Sequence, residues 1–135
     1  MGENLPPDAG LAMTAVDFKR LEFVRTRAWQ ELAPILERHD AFLCPTMSVP
    51  APPVGKDDFE FYKDRGDGLY HALDMTSQFN YVSQCPALSV PSGWSADGLP
   101  IGLQIVARRY QDDLALRIGA VLERVRPWAH RRPPV

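Results

Sequence analysis

Only two cysteines, Cys44 and Cys85, occur in the 135 residues, and no CxxC pair is formed. That scarcity excludes a disulfide-stapled scaffold, and nothing in it requires an oxidising compartment. Histidine is equally sparse: His39, His71 and His130 form no HExxH and no pair at helical spacing, so no metal site is expected. Neither GxGxxG nor GxxxxGK[ST] is present, which removes the usual phosphate cradles, and no cofactor is expected. No apolar run approaches the roughly 18–20 residues that cross a bilayer, so no membrane partner is expected. Met1 to Gly10 is polar, with Pro6 and Pro7, and does not read as a secretory leader; the cytoplasm is the expected location.

Catalytic amines are few as well. Lys19, Lys56 and Lys63 all have charged neighbours, and an ammonium held charged is no base. Ser77, Ser83, Ser89 and Ser92 lie in neither GxSxG nor a glycine-flanked Ser-Ser turn. Cys44 falls in an apolar run, where a thiol packs, and Cys85 precedes Pro86 without a histidine partner. The sequence thus holds no recognisable catalytic constellation, and no catalytic residue is assigned. Asp57, Asp58, Asp64 and Asp67 read as a solvated acidic loop. Asp74 differs, lying among apolar residues as though mid-helix, either on an exposed face or lining a polar cavity.

What is present suits one soluble domain: 45% hydrophobic and 24% charged residues, with a formal net charge of -2. That balance excludes a generally basic nucleic-acid binder. The charge is uneven, however: residues 1–107 carry 8 basic and 14 acidic side chains, residues 108–135 carry 7 arginines and 3 acids. Such a tail either meets phosphate through Arg108, Arg109, Arg131 and Arg132, or places cations at the negative pole of a helix. The second is the expected reading, so nucleic acid is not an expected partner.

Periodicity organises the chain. Residues 1–13 read as a flexible lead-in and 14–135 as a single segment. Phe18, Leu21, Val24, Ala28, Leu32 and Ile35 recur every three or four residues, predicting a helix over 15–39 with Thr14 and Asp17 as a capping box. Pro34 predicts a kink or break near Ala33. Ala41 to Cys44 reads as a strand, Pro45 to Pro53 as an extended loop, and Lys56 to Gly68 as a surface excursion. A second helix is expected over 69–81, with Leu69, Leu73, Thr76 and Phe79 or Asn80 facing inward. Strands at 87–90 and 101–107 flank a turn with Asp97-Gly98 at its tip, the pattern of a hairpin. Gly102 predicts a bulge or a close backbone approach. Asp112 is expected to cap a last helix to Arg126, whose stripe is Leu114, Ile118, Val121 or Leu122, and Val125.

Three motifs in succession carry a resemblance. They are Phe42-Leu43-Cys44-Pro45-Thr46 with Pro50-Ala51-Pro52, then Pro86-Ala87-Leu88-Ser89-Val90-Pro91-Ser92-Gly93, then Gly98-Leu99-Pro100-Ile101-Gly102-Leu103-Gln104-Ile105-Val106. From about Phe18 to Trp128 the chain resembles the C-terminal part of the amidase signature family, which includes one of the subunits of the glutamyl-tRNA amidotransferases. The resemblance implies an α/β fold: part of a mixed sheet, here three or four short strands with a C-terminal hairpin, packed by two or three helices. It implies amide hydrolysis through a Ser–cis-Ser–Lys triad, none of whose members has a counterpart here. So few residues precede the first matching helix that the half bearing the triad is expected to be missing.

The family pattern of an Asp, an Asn seven residues later and a Gly three further implies substrate contacts at Asp74, Asn80 and Gln84. In one register Tyr81 stands for the Asn and Gln84 for the Gly; in the other Asn80 takes the Asn position. In amidotransferase relatives the Asp helps to hold the substrate's amino group. Expected partners are therefore the missing amidase half or a partner chain, with a small amide substrate in the parent. The alternative is a stand-alone binding or assembly module that self-associates through an exposed sheet edge.

Overall fold

The computed structural model describes residues 10–56, 74–82 and 84–131. The lead-in up to Ala9, the acidic excursion beyond Lys56, the first turn of the helix expected at 69–81, and Lys63, His71, Ser83 and Arg132 lie outside them.

Helix α1 spans Ala15–Arg38. The capping box forms as the sequence predicts: the Asp17 backbone N–H donates to Thr14 Oγ1 at 3.2 Å, and the Thr14 N–H donates to the Asp17 carboxylate at 3.3 Å. The helix does not break at Pro34. Losing one N–H leaves a single carbonyl without its helical donor, and Leu36, 1% exposed, anchors the turn beyond it. The predicted apolar stripe is buried only in part. Ala28, Leu32 and Ile35 are half-buried, but Phe18, Leu21 and Val24 are exposed because the N-terminal half of α1 runs past the rest of the described fold.

Strands β1 (Ala41–Pro45), β2 (Ala87–Trp94) and β3 (Pro100–Ala107) pair in the order β1-β3-β2. Both described pairings are antiparallel. The central position of β3 follows from its sequence: Ile105, Val106 and Ala107 are fully buried and Gln104 nearly so. The hairpin strands outrun their predicted ends. Pro91 stays within β2 because among the described residues β2 pairs on one side only, where a missing N–H breaks no ladder, and a bulge falls between Pro91 and Gly93. The connection shortens to Ser95–Leu99. There Gly98 takes φ +81° and donates its N–H to the Ser95 carbonyl at 3.0 Å.

Alternation and register sort the side chains. Phe42, Cys44, Ser89, Gln104 and Val106 share one face; Leu43, Leu88, Val90, Leu103 and Ile105 share the other. Short helix α2 (Ser77–Val82) packs on the first, with the Phe79 and Phe42 rings 5.7 Å apart. Helix α3 (Asp112–Val125) packs on the second. Gly119 lies so close that a Cβ there would stand 2.6 Å from Leu88 Cδ2. This contact turns α3 away from its predicted stripe: Ala115 and Gly119 are buried, Leu114, Ile118 and Leu122 half-buried, and Val121 and Val125 exposed. Asp112 is not the cap either. Gln111 is the N-cap residue, without a side-chain bond, and Asp112 and Asp113 lie in the first turn, where acids suit the helix dipole. The result is an α/β arrangement of three strands and three helices among the described residues.

Candidate functional site

A polar cluster forms where the chain leaves β1. Thr46 donates its N–H to the Gly102 carbonyl at 2.9 Å, extending the β1–β3 pairing by one bond. Its hydroxyl lies 2.7 Å from that of Ser89 on β2, so the two bridge across β3. Gly102 makes the bridge possible. A Cβ at that position would stand 2.8 Å from Thr46 Oγ1, 3.0 Å from Thr46 Cβ and 3.1 Å from Ser89 Oγ. Neither expectation for Gly102 holds as stated: the bulge belongs to β2, and what approaches Gly102 is not a neighbouring backbone but the side chains of Thr46 and Ser89.

The segment carrying Asp74 is fastened to this cluster. Met75 N–H donates to the Thr46 carbonyl at 3.1 Å, and Asp74 forms an isolated bridge with Met47. Gln104, 2% exposed, donates through Nε2 to the Met75 carbonyl and to Cys44 Sγ, both at 3.3 Å. A buried amide so placed satisfies itself while joining β1, β3 and the Asp74 turn. In the sequence Gln104 stands out only as one residue of the Gly98–Val106 motif.

Asp74 is half-buried and precedes α2 rather than lying within a helix. Its carboxylate accepts the backbone N–H groups of Thr76 at 2.8 Å and Ser77 at 3.2 Å, and the hydroxyls of both residues. Capture of these donors explains why α2 starts at Ser77. Burial alone would raise the Asp74 pKa, but the Ser77 and Thr76 hydrogen bonds prevail and hold it below the ordinary carboxylate value. The group is therefore a stable anion and a poor base.

Of the other two expected site residues, Asn80 is exposed on α2. Gln84 is exposed too, in left-handed backbone at φ +67°, and its carbonyl accepts the Tyr110 N–H at 3.2 Å. Left-handed backbone is what glycine adopts at least cost. The register that pairs Asp74 with Tyr81 and Gln84 puts the family's glycine at this position. Gln84→Gly should therefore raise stability by about 1 kcal/mol, read as a higher urea midpoint, whereas Gln84→Ala should give no such gain.

Thr46 and Ser89 turn their hydroxyls to each other, and Thr76 and Ser77 turn theirs to the Asp74 carboxylate, a poor base. Lys19 is bound to Glu22 at 2.7 Å, and His39 and His130 are exposed. Burial pushes the Cys85 thiol pKa up, and the nearby Arg109 only partly offsets it, so this is no thiolate nucleophile. No group of three His, Cys, Asp or Glu side chains gathers to hold a metal among the described residues. Three of the four tail arginines considered for phosphate lie among the described residues and are engaged internally. Arg108 pairs with Asp40 at 3.6 Å, Arg109 stacks 3.6 Å over Trp29 and donates to the Val82 carbonyl, and Arg131 lies 4.2 Å over Trp94.

Comparison with known proteins places a chain of this fold in a family of hydrolases. The family profile described as Amidase matches residues 8–116, and the chain belongs to that family. It is 33% identical over 123 residues to an acylamidase of Rhodococcus erythropolis, covering 90% of this chain and 25% of that protein. It is 40% identical over 101 residues to a 6-aminohexanoate-cyclic-dimer hydrolase of Paenarthrobacter ureafaciens, covering 70% of this chain and 20% of that one. The solved structure of a glutamyl-tRNA(Gln) amidotransferase component from Thermotoga maritima superimposes with a TM-score of 0.66 at 33% identity, over 82% of this chain and 23% of the other. The chain thus spans about a quarter or less of the length of these relatives. Among the described residues no helix is long and apolar enough to cross a membrane.

Proposed function

We propose that residues 14–135 act as one unit, the C-terminal segment of an amidase-family hydrolase working in the cytoplasm. The parent reaction is hydrolysis of a carboxamide C–N bond, or ammonia transfer from one, through a Ser–Ser–Lys triad borne on other polypeptide. One observation carries this reading: among the described residues the Thr46 and Ser89 hydroxyls hydrogen-bond to each other, and those of Thr76 and Ser77 to a carboxylate held as an anion, not to an amine or imidazole. An unactivated hydroxyl is a weak nucleophile, so this cluster can wall and brace a pocket but not attack. Asp74, Asn80 and Gln84 are the proposed substrate-facing residues. Asp74 ranks first because a half-buried, persistent anion suits a substrate amino group. The purified chain should hydrolyse an aryl amide no faster than buffer does. Turnover by the chain alone, abolished by one serine substitution, would overturn the reading.

A second reading, a binding or assembly module, is favoured by the sheet itself. Both β1 and β2 have a described partner on one side only. A dimer in size-exclusion chromatography that dissociates when a proline is placed in β1 would support it over the first.

A further inference from the structure

A cavity of about 530 Å³ lies on the α3 side of the sheet, between the end of β2, the end of α3 and the turn that follows α3. Each wall has a local cause. The bulge between Pro91 and Gly93 bends the last residues of β2, and Trp94 ends that strand opposite Pro100. Pro127 stops α3, and the Arg126 N–H closes its last turn on the Leu122 carbonyl at 2.8 Å. The chain then doubles back, the Arg131 N–H donating to the Trp128 carbonyl at 2.9 Å. That return lays the Arg131 guanidinium 4.2 Å over the Trp94 ring. Trp94 and Trp128 both line the cavity and both are half-buried.

The way the arginine is held decides what it can still bind. A guanidinium stacked on an indole spends its face in the cation–π contact, while its N–H donors lie in the guanidinium plane and stay directed outward. Among the described residues neither Arg131 nor Arg126, the second arginine of the wall, pairs with a carboxylate. Ser92, on the same wall, already donates its hydroxyl to the Ile101 carbonyl at 3.2 Å. The cavity thus sets two aromatic surfaces beside an unspent planar cation, at a volume usual for small-ligand sites.

We propose that this cavity binds a small aromatic carboxylate, its ring against the Trp94 and Trp128 indoles and its carboxylate on the in-plane N–H groups of Arg131. The site lies across the sheet from α2 and does not depend on the function proposed above. The negative pole of α3 is close by and lowers an anion's affinity about two- to fivefold, whereas a charge-assisted bond to a guanidinium raises it about ten- to a hundredfold, so the arginine prevails. A neutral ring leaves the donors unused, and a cation meets two arginines. A phosphate brings a second charge to the helix pole with one stacked guanidinium to meet it.

The test follows the three indole N–H signals of the isotope-labelled full chain by nuclear magnetic resonance during titration with naphthoate. The Trp94 and Trp128 signals should shift on one curve with a dissociation constant on the order of 0.1–1 mM, and the Trp29 signal should stay in place. Naphthamide, the same ring without the charge, should bind at least about fivefold more weakly, and acetate should move neither signal. Arg131→Met should weaken naphthoate binding about tenfold and erase the preference for the acid over the amide. Arg131→Lys keeps the charge without the planar fork and should fall between. Arg131 is exposed, so an unmoved Trp29 signal in these variants will show that the fold is intact. No shift of Trp94 or Trp128 up to about 10 mM, equal affinity for the amide, full binding by Arg131→Met, or tighter binding of naphthyl phosphate would each overturn the proposal.

Discussion

Gly102→Val should be the most damaging single substitution at the site, costing about 3 kcal/mol by overpacking and the loss of a hydrogen bond. The position lies on the central strand, where neither neighbour can move away freely. Thr46 is fixed by its N–H bond to the Gly102 carbonyl itself, and Ser89 by its place in β2 opposite Gln104. A methyl-sized atom would meet Thr46 Cβ at 3.0 Å, a contact with the stem of a side chain whose backbone is tied to the strand, not with a flexible tip. Valine adds branches to that clash and pushes the Thr46 and Ser89 hydroxyls apart, ending their 2.7 Å bond. The urea midpoint should fall accordingly with an unchanged m-value. Gly119→Ala makes the control. Its new Cβ would press on Leu88 Cδ2, the far end of a side chain that can rotate, so the loss should be smaller. If Gly102→Val proves as stable as the wild type, the Thr46–Ser89 bridge is not the tight contact described here.

How far the fold was legible in the sequence depended on the reach of each interaction. Local chemistry read cleanly. The Thr14–Asp17 box, the Asp97-Gly98 turn and the strand character of 101–107 all involve neighbours in sequence. Readings that depended on tertiary partners went astray. Periodicity puts Phe18, Leu21 and Val24 on one face with Ala28, Leu32 and Ile35, yet the fold buries only part of that face and leaves the first three exposed. The stripe on α3 was displaced because Gly119 admits Leu88, a contact set by a strand some thirty residues earlier. The site was less legible still. Asp74 drew notice as a carboxylate among apolar residues. Its actual engagement, with Thr76 and Ser77 just beyond it, hides within a run that also reads as helix. Thr46, Ser89 and Gln104 are far apart in the chain and meet only because β3 pairs with both neighbours. Gln84 was reached only through the register that gives its position to a glycine, and its φ of +67° is a conformation that glycine adopts at least cost.

Asp74→Ala carries the second large effect. Four donors converge on this carboxylate: two backbone N–H groups and two hydroxyls from Thr76 and Ser77. Alanine removes the acceptor and leaves the first turn of α2 uncapped, a loss of about 2 kcal/mol, at the high end for an N-terminal cap because the acceptor is charged. Asparagine keeps one oxygen and should recover part of it. The pH dependence separates a charged acceptor from mere packing. The folded-state pKa is lowered below the ordinary value of 3.8, so the unfolded chain binds the proton more readily than the folded one. The stabilisation is therefore complete above the unfolded pKa and disappears as the pH falls through the folded value. The gap between wild type and Asp74→Asn should be constant from neutral pH down to about 5 and then close on further acidification. A gap that stays constant into strong acid would mean that Asp74 stabilises by shape alone. The same anion is the proposed anchor for a substrate amino group. Asn should then weaken binding of an amino-bearing amide in the assembled enzyme more than it lowers stability, whereas an amide without an amino group should be held as before.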